Sequence, residues 1–269
     1  MSTTTTPRHE LAEGSLPART RAPAVSISEV SKDFGRGPDA VVALHEVDLL
    51  VERGEFVCLL GASGCGKSTL LNLVAGLDSP TSGTVDTAGN KIAFMFQEAT
   101  LFPWLTLGQN VDLALRLTGV PRSARPERVE ELLEKVRLGG RGHRRPHELS
   151  GGMRQRGALA RVLAQDADIV LMDEPFAALD AMTRDAMHDE IEGLWAELGL
   201  TVLFVTHNVR EAVRLSDRTV LMESGPGRVK EIHAMHDLPR PRHLEDQRVT
   251  ERAGRLTHLL KAEVARHVR

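Results

Sequence analysis

Short apolar runs alternate with longer amphipathic stretches along this chain. Residues 25–30 and 41–51 carry a strand pattern, with the turn formers Gly35, Gly37 and Pro38 between them. Residues 56–60 are continuously apolar and end at Gly61, the pattern of a parallel strand buried on both faces. Residues 67–76 then predict a helix, with Leu70, Leu71 and Val74 on one stripe and Gly76 at its end. Residues 92–97 predict another strand. From 98 to about 163 the character is helical, and over 127–136 the apolar stripe is Val129, Leu132, Leu133 and Val136. Strand returns at 169–172 and 201–206, either side of a helix over 181–198. Residues 220–223 and 229–232 predict a hairpin around Gly225-Pro226-Gly227, and a charged amphipathic helix runs from Leu244 to the end. Alternating strands and helices imply an α/β fold with a mainly parallel sheet. The earlier β pattern predicts an antiparallel part, and the helical insert a separate lobe at about 98–165.

Composition narrows the class. The 269 residues are 41% hydrophobic and 26% charged, a globular profile. A formal net charge of -3 argues against an electrostatic nucleic-acid binder, and the total absence of tyrosine with 3% aromatics argues against a base-stacking platform. The arginines from Arg137 to Arg145 read as a solvated loop. No run of 18 apolar residues exists, so a transport role would need a pore from another chain. Residues 1–24 are rich in Thr, Pro and Arg with no apolar segment, and are expected to be a disordered tail rather than a signal peptide. Cys58, in an apolar strand, and Cys65, in a loop, argue against a structural disulfide, which fits a reducing cytosol. His143, His147, His233 and His236 lack the context of a metal site.

The chemistry concentrates in a few segments. Gly61-Ala62-Ser63-Gly64-Cys65-Gly66-Lys67-Ser68 is a complete phosphate-binding loop in its required strand–loop–helix setting. Its glycines let backbone N–H groups turn inward toward phosphate oxygens, and the following helix adds its positive end. Lys67 is expected on the β- and γ-phosphates of ATP, the Ser68 hydroxyl on Mg²⁺, and Thr69 near the α-phosphate. Asp173 ends an apolar strand, where its carboxylate can hold Mg²⁺ through water. Glu174 is placed to act on the attacking water, either as general base or by orienting it. Gln97 can touch both Mg²⁺ and that water, and His207 can donate to the γ-phosphate.

Leu149-Ser150-Gly151-Gly152-Met153-Arg154-Gln155 completes an ordered set with the phosphate loop, Gln97, Asp173-Glu174, Ala178-Leu179-Asp180 and His207. The set resembles the ATPase subunits of ABC transporters over roughly residues 25–235, leaving 236–269 as a C-terminal extension. The resemblance implies a P-loop NTPase fold and a head-to-tail dimer with ATP at the interface. Ser150, Gly151 and Gly152 would serve the partner's γ-phosphate, and Asp180 would join the nucleotide site. It also implies an aromatic residue on adenine ahead of the loop. Phe34 is the candidate, and Val42 is a poorer stacker beside it.

Phe96-Gln97-Glu98, Leu101-Phe102-Pro103-Trp104-Leu105-Thr106, the stretch from Asp173 to Arg184, and Leu238-Pro239-Arg240-Pro241-Arg242 look like the nitrate, sulfonate and taurine import group. That likeness implies transmembrane permease subunits as partners, a solute-binding protein acting through the permease, and a place on the cytoplasmic face of the membrane. An exporter subunit and a soluble ABC ATPase are the rival readings; the latter usually has two modules or a long coiled coil. The segment from Leu101 to Leu105 is expected to dock the permease, with Leu105 the residue most expected to pack inside.

Overall fold

The computed structural model describes residues 23–35, 37, 40–243 and 245–267. The expected tail falls mostly on residues 1–22, which lie outside the described residues, as do Pro38 and Leu244.

In chain order the elements are β1 Val25–Phe34, β2 Val41–Val51, β3 Phe56–Leu60, α1 Lys67–Val74, β4 Ser82–Asp86 and β5 Ile92–Met95. The helices α2 Leu107–Leu117 and α3 Arg125–Lys135, a 3₁₀ turn at Pro146–Glu148 and α4 Gly151–Leu163 follow. The chain closes with β6 Ile169–Asp173, α5 Ala181–Leu198, β7 Thr201–Thr206, α6 Val209–Leu215, β8 Arg218–Glu223, β9 Arg228–Ala234 and α7 Gln247–His267.

Two sheets form. An antiparallel one has the order β2-β1-β4, and a larger one the order β5-β6-β7-β3-β8-β9. All neighbours in the larger sheet are parallel except the final β8–β9 hairpin. β3 and β7 sit at its centre and every residue of both is buried, which explains their unbroken apolar sequence. The sheet lies between two hydrophobic clusters. Phe56, Met95, Phe204, Leu107, Val111 and Leu132 share one, so the packing runs continuously from the sheet into α2 and α3. Ile27, Leu44, Leu59, Leu70 and Leu203 belong to the other, which joins α1 and the antiparallel sheet.

Several boundaries differ from the sequence expectation. β1 runs on to Phe34 because it continues to pair with β2, Phe34 opposite Val41. The strand expected over 92–97 stops at Met95. There Phe96 folds onto Phe94, ring centroids 4.3 Å apart, and Gln155 Nε2 of α4 donates to the Gln97 carbonyl at 2.7 Å. The chain is drawn off the sheet toward α4. β4 and α6 were not anticipated: β4 is short, carries Gly83 and is largely exposed, and α6 is only seven residues long. Cys58 and Cys65 are both buried and unlinked.

The C-terminal extension is tied down by arginines. Arg242 is 2% exposed, and its guanidinium donates to the carbonyls of Val213 at 3.0 Å, Ser216 at 2.5 Å, Met235 at 2.8 Å and Leu238 at 3.1 Å. Burial pushes its pKa down to about 10, so it stays cationic at neutral pH. Val249 and Leu256 bury one face of α7 in the sheet–helix core. Among the described residues no helix is long and apolar enough to cross a membrane.

Candidate functional site

The phosphate loop joins β3 to α1 as the sequence predicts, and its backbone leaves no choice of residue at one position. Gly66 has φ +87°, and a Cβ there would lie 2.5 Å from Leu44 Cδ2 and 2.8 Å from the Ala43 carbonyl. Ser63 and Gly64 form the exposed rim. Lys67 is 4% exposed, its aliphatic stem buried, and Nζ donates to the carbonyls of Gly61 at 2.9 Å and Ala62 at 2.7 Å. Cys65 Sγ lies 3.7 Å from the same ammonium.

The strand order brings distant residues to that loop. β6 is separated from β3 only by β7, and all three are parallel, so their C-terminal ends share one edge. Ser68 Oγ donates to Asp173 Oδ1 at 3.0 Å, across 105 positions of sequence. Burial pushes the Asp173 carboxyl above its ordinary value; the Ser68 hydrogen bond opposes the rise and the Glu174 charge adds to it.

Glu174 leaves β6 with φ +42°, a left-handed backbone uncommon for a residue with a long side chain. Its N–H is held by the Val205 carbonyl at 3.0 Å. The turn aims the carboxylate at His207, whose Nδ1 is 2.9 Å from Glu174 Oε2. Ser68, Asp173, Glu174, His207 and Lys67 therefore stand on one edge.

Other expected residues make no hydrogen bond to that cluster among the described residues. Gln97 and Thr69 are exposed and half-buried, and among the described residues neither side chain makes a hydrogen bond. Phe34 is 45% exposed, with Lys32 Nζ 5.0 Å from its ring centroid, and Val42 beside it is also exposed. Ser150 caps α4, its Oγ accepting from Met153 N at 3.3 Å, with the α4 N-terminus facing solvent. Among the described residues no hydrogen bond joins Ser150, Gly151 or Gly152 to the phosphate loop. Gly152 instead abuts Thr183 of α5, and Asp180 caps α5 by accepting from Thr183 N at 2.9 Å and Thr183 Oγ1 at 2.7 Å.

Within the expected docking segment the buried residue is Leu101, at 8% exposure, and not Leu105, which is half-buried. Leu101 lies against Gly157 of α4, so it turns inward while Phe102 and Trp104 face out. Phe96, Phe102, Leu113 and Leu117 line an adjoining cleft of about 660 Å³.

Sequence reasoning missed how polar residues hold this edge from behind. Gln155, part of the motif at 149–155 but given no role of its own there, fixes the Gln97 backbone, and Glu211, buried on α6, accepts from Thr206. Glu211 belongs to none of the motifs and acts through the hydroxyl of a residue beside His207. A charged residue on an otherwise apolar helix face, as at Glu211, was the available signal.

A glycine-rich turn that presents a lysine beside a hydroxyl–carboxylate pair is the phosphate site of a P-loop nucleoside triphosphatase. The chain matches the ABC transporter family over residues 44–177. It is 42% identical over 252 residues to an uncharacterised ABC transporter ATP-binding protein of Methanocaldococcus jannaschii, covering 91% of this chain and 94% of that one. It is 43% identical to an aliphatic sulfonates import ATP-binding protein of Bacillus licheniformis, over 81% of this chain and 87% of the relative. A nitrate import ATP-binding protein of Synechocystis is 42% identical, over 77% and 80% of the two chains. A solved dimeric ATP-binding cassette, in a post-hydrolysis state with ADP and phosphate, superposes with a TM-score of 0.70 at 34% identity, covering 79% of this chain and 99% of the cassette. The chain belongs to the ATP-binding subunits of ABC transporters and is an ATPase of that family.

Proposed function

We propose that this chain hydrolyses MgATP to drive import of a small solute such as nitrate, an aliphatic sulfonate or taurine. The observation that carries the chemistry is the shared edge of β6, β7 and β3, where the Ser68–Asp173 and Glu174–His207 pairs meet. A hydroxyl and a carboxylate oxygen 3.0 Å apart are hard donors suited to Mg²⁺, which keeps most of its remaining ligands as water and phosphate oxygens. Bound there, Mg²⁺ would neutralise charge on the β- and γ-phosphate oxygens.

The chain's own groups do the rest. Lys67 exchanges loop carbonyls for β- and γ-phosphate oxygens, and backbone N–H groups of the loop with the start of α1 hold the phosphates. Glu174 accepts the proton of the attacking water or fixes its orientation. His207 donates to the γ-phosphate and ties Glu174 in place through the 2.9 Å contact. Gln97 would join Ser68 and Asp173 on Mg²⁺ and touch the attacking water, Thr69 reaches the α-phosphate, Phe34 stacks on adenine, and Asp180 joins the nucleotide site. Ser150, Gly151 and Gly152 are free of their own phosphate loop, and the exposed start of α4 suits a γ-phosphate held by a second copy.

The relatives named for sulfonate and nitrate import support the import direction and the solute class. Permease subunits receive the exposed Phe102 and Trp104 at the cytoplasmic face of the membrane, and a solute-binding protein acts on the permease from the other side. Two measurements test the reading. Lys67→Ala should lose tight MgATP binding, by on the order of 100-fold, as the phosphates lose a charged partner in a buried site; affinity within about threefold of wild type would refute the site. Cells lacking the chain should fail to take up labelled nitrate or aliphatic sulfonate and recover with the wild-type chain. Unchanged uptake of each would remove the solute assignment.

A further inference from the structure

The short helix after His207 carries a buried carboxylate that the reaction above does not use. Glu211 is 5% exposed. Its Oε2 accepts from Thr206 Oγ1 at 2.5 Å, and its Oε1 from Asn208 Nδ2 at 3.4 Å. Those two residues flank His207. The Asn208 N–H donates to Thr206 Oγ1 at 2.9 Å, so the residues on both sides of the imidazole are tied to each other and, through their side chains, to one carboxylate.

A second group reaches the same oxygen from α5. His188 Nε2 lies 3.6 Å and Arg184 Nε 3.7 Å from Glu211 Oε1. Arg184 Nη2 also donates to the Leu179 carbonyl at 2.7 Å, one residue before Asp180. One guanidinium thus touches both the turn that precedes α5 and the carboxylate that follows His207.

Capping does not explain Glu211. Asn208 already caps α6, its Oδ1 accepting from Arg210 N at 3.0 Å. Packing does not explain it either, because an apolar side chain of the same size fills a buried position without the cost of desolvating a charge. Burial by itself would raise the Glu211 carboxyl, yet its contacts with His188 and Thr206 and the charge of Arg184 hold it below its ordinary value. An anion kept in the interior and bonded to both neighbours of a reacting histidine has the arrangement of a positioning group.

We propose that Glu211 is a positioning residue for His207, and that Arg184 couples this position to the Leu179-Asp180 turn. The inference rests on the reading of His207 as the γ-phosphate donor. Among the described residues the His207 side chain hydrogen-bonds Glu174, and its aim also depends on the flanking residues that Glu211 holds. A shift of the Leu179-Asp180 turn, such as contact with a second copy would produce, pulls on Arg184 and reaches His207 through that carboxylate.

A double-mutant cycle in the full chain tests this, with kcat and KM for ATP as readouts. Glu211→Gln keeps the volume and removes the charge. It should lower kcat about 10- to 100-fold, the range expected for losing a hydrogen bond to a charged group, with KM within about threefold. In the His207→Ala background it should cost nothing further. Losses that multiply in the double variant, or a single-variant kcat within about twofold of wild type, would overturn the proposal. If His207→Ala alone leaves kcat unchanged, the reading of His207 is wrong and the proposal falls with it, an outcome distinct from multiplying losses. Should Glu211→Gln fail to fold, Thr206→Val carries the same cycle, and Thr206→Ser should restore activity because it keeps the hydroxyl. Arg184→Met should show the same split and be silent in the Glu211→Gln background; an additive loss there removes Arg184 from the coupling.

Discussion

Glu174 Oε2 and His207 Nδ1 lie 2.9 Å apart, joining the C-terminal ends of β6 and β7. The contact exists because Glu174 takes a φ of +42° where the strand ends. Glu174→Gln keeps the size of the side chain and its reach to His207 but removes the base. Hydrolysis should slow by on the order of 10²- to 10⁴-fold while ATP still binds. The variant should then accumulate as an ATP-bound dimer. Gel filtration under saturating MgATP, with hydrolysis shown to be absent, decides the matter: a monomer contradicts the shared-nucleotide arrangement.

A methyl at Gly152 would overlap the Thr183 Cγ2 methyl, and the Thr183 side chain cannot rotate away without losing its hydroxyl bond to Asp180. Gly152→Ala should therefore disturb the start of α4 and the Asp180 cap together, lowering ATPase activity at least about tenfold and stability by about 1–3 kcal/mol, the usual cost of overpacking. Thr183→Ser removes the methyl and keeps the hydroxyl cap. The pair Gly152→Ala with Thr183→Ser should recover most of the stability. If the pair is no better than Gly152→Ala alone in thermal unfolding, steric overlap is not the reason for glycine at this position.

The phosphate-site residues were legible because their chemistry is local. A loop such as residues 61–68 must bend within a few positions, so its glycines and lysine are spaced by geometry that sequence displays directly. The central strands were legible for a related reason: a strand buried on both faces must be apolar throughout, as β3 and β7 are. β4 was not, because it is an exposed edge strand with no buried face to write a pattern. Strand order was equally hidden. Nothing between residues 68 and 173 states that Ser68 and Asp173 end 3.0 Å apart; that follows from β6, β7 and β3 being adjacent. The Glu211 network lies furthest from sequence reading, since each of its members is common on a helix and only their convergence is informative.

A second buried pair links α4 to α5. Arg156 Nη1 lies 3.1 Å from Glu190 Oε2, and the Glu190 side chain is 3% exposed. Glu190→Ala leaves the Arg156 charge without its partner in a poorly solvated position, which should destabilise the chain by about 3–5 kcal/mol. Replacing both, as Arg156→Met with Glu190→Met, should be far milder because no unpaired buried charge remains; Arg137, 4.0 Å from Glu190 Oε2, is exposed and stays solvated. Urea unfolding with unchanged m-values reads the difference. Equal losses in the single and double variants would show that the charge pairing is not what matters at this contact.

Trp104 is 67% exposed and packs against Phe102, ring centroids 5.3 Å apart, on the segment that follows Gln97. Large apolar side chains clustered in the open mark a partner surface more often than a core. Leu101, buried against α4, anchors the segment from the inside, so the outward pair is presented on a fixed base. Trp104→Ala in the isolated subunit should change stability by less than about 1 kcal/mol, as surface substitutions do, and should leave its ATPase activity intact. With the permease present, the same variant should associate more weakly or hydrolyse ATP without driving uptake. Leu101→Ala makes the contrast: it removes a buried side chain and should destabilise the isolated subunit by about 2–5 kcal/mol. If Trp104→Ala unfolds the isolated subunit while the surviving complex transports normally, the tryptophan serves the fold and the docking surface lies elsewhere.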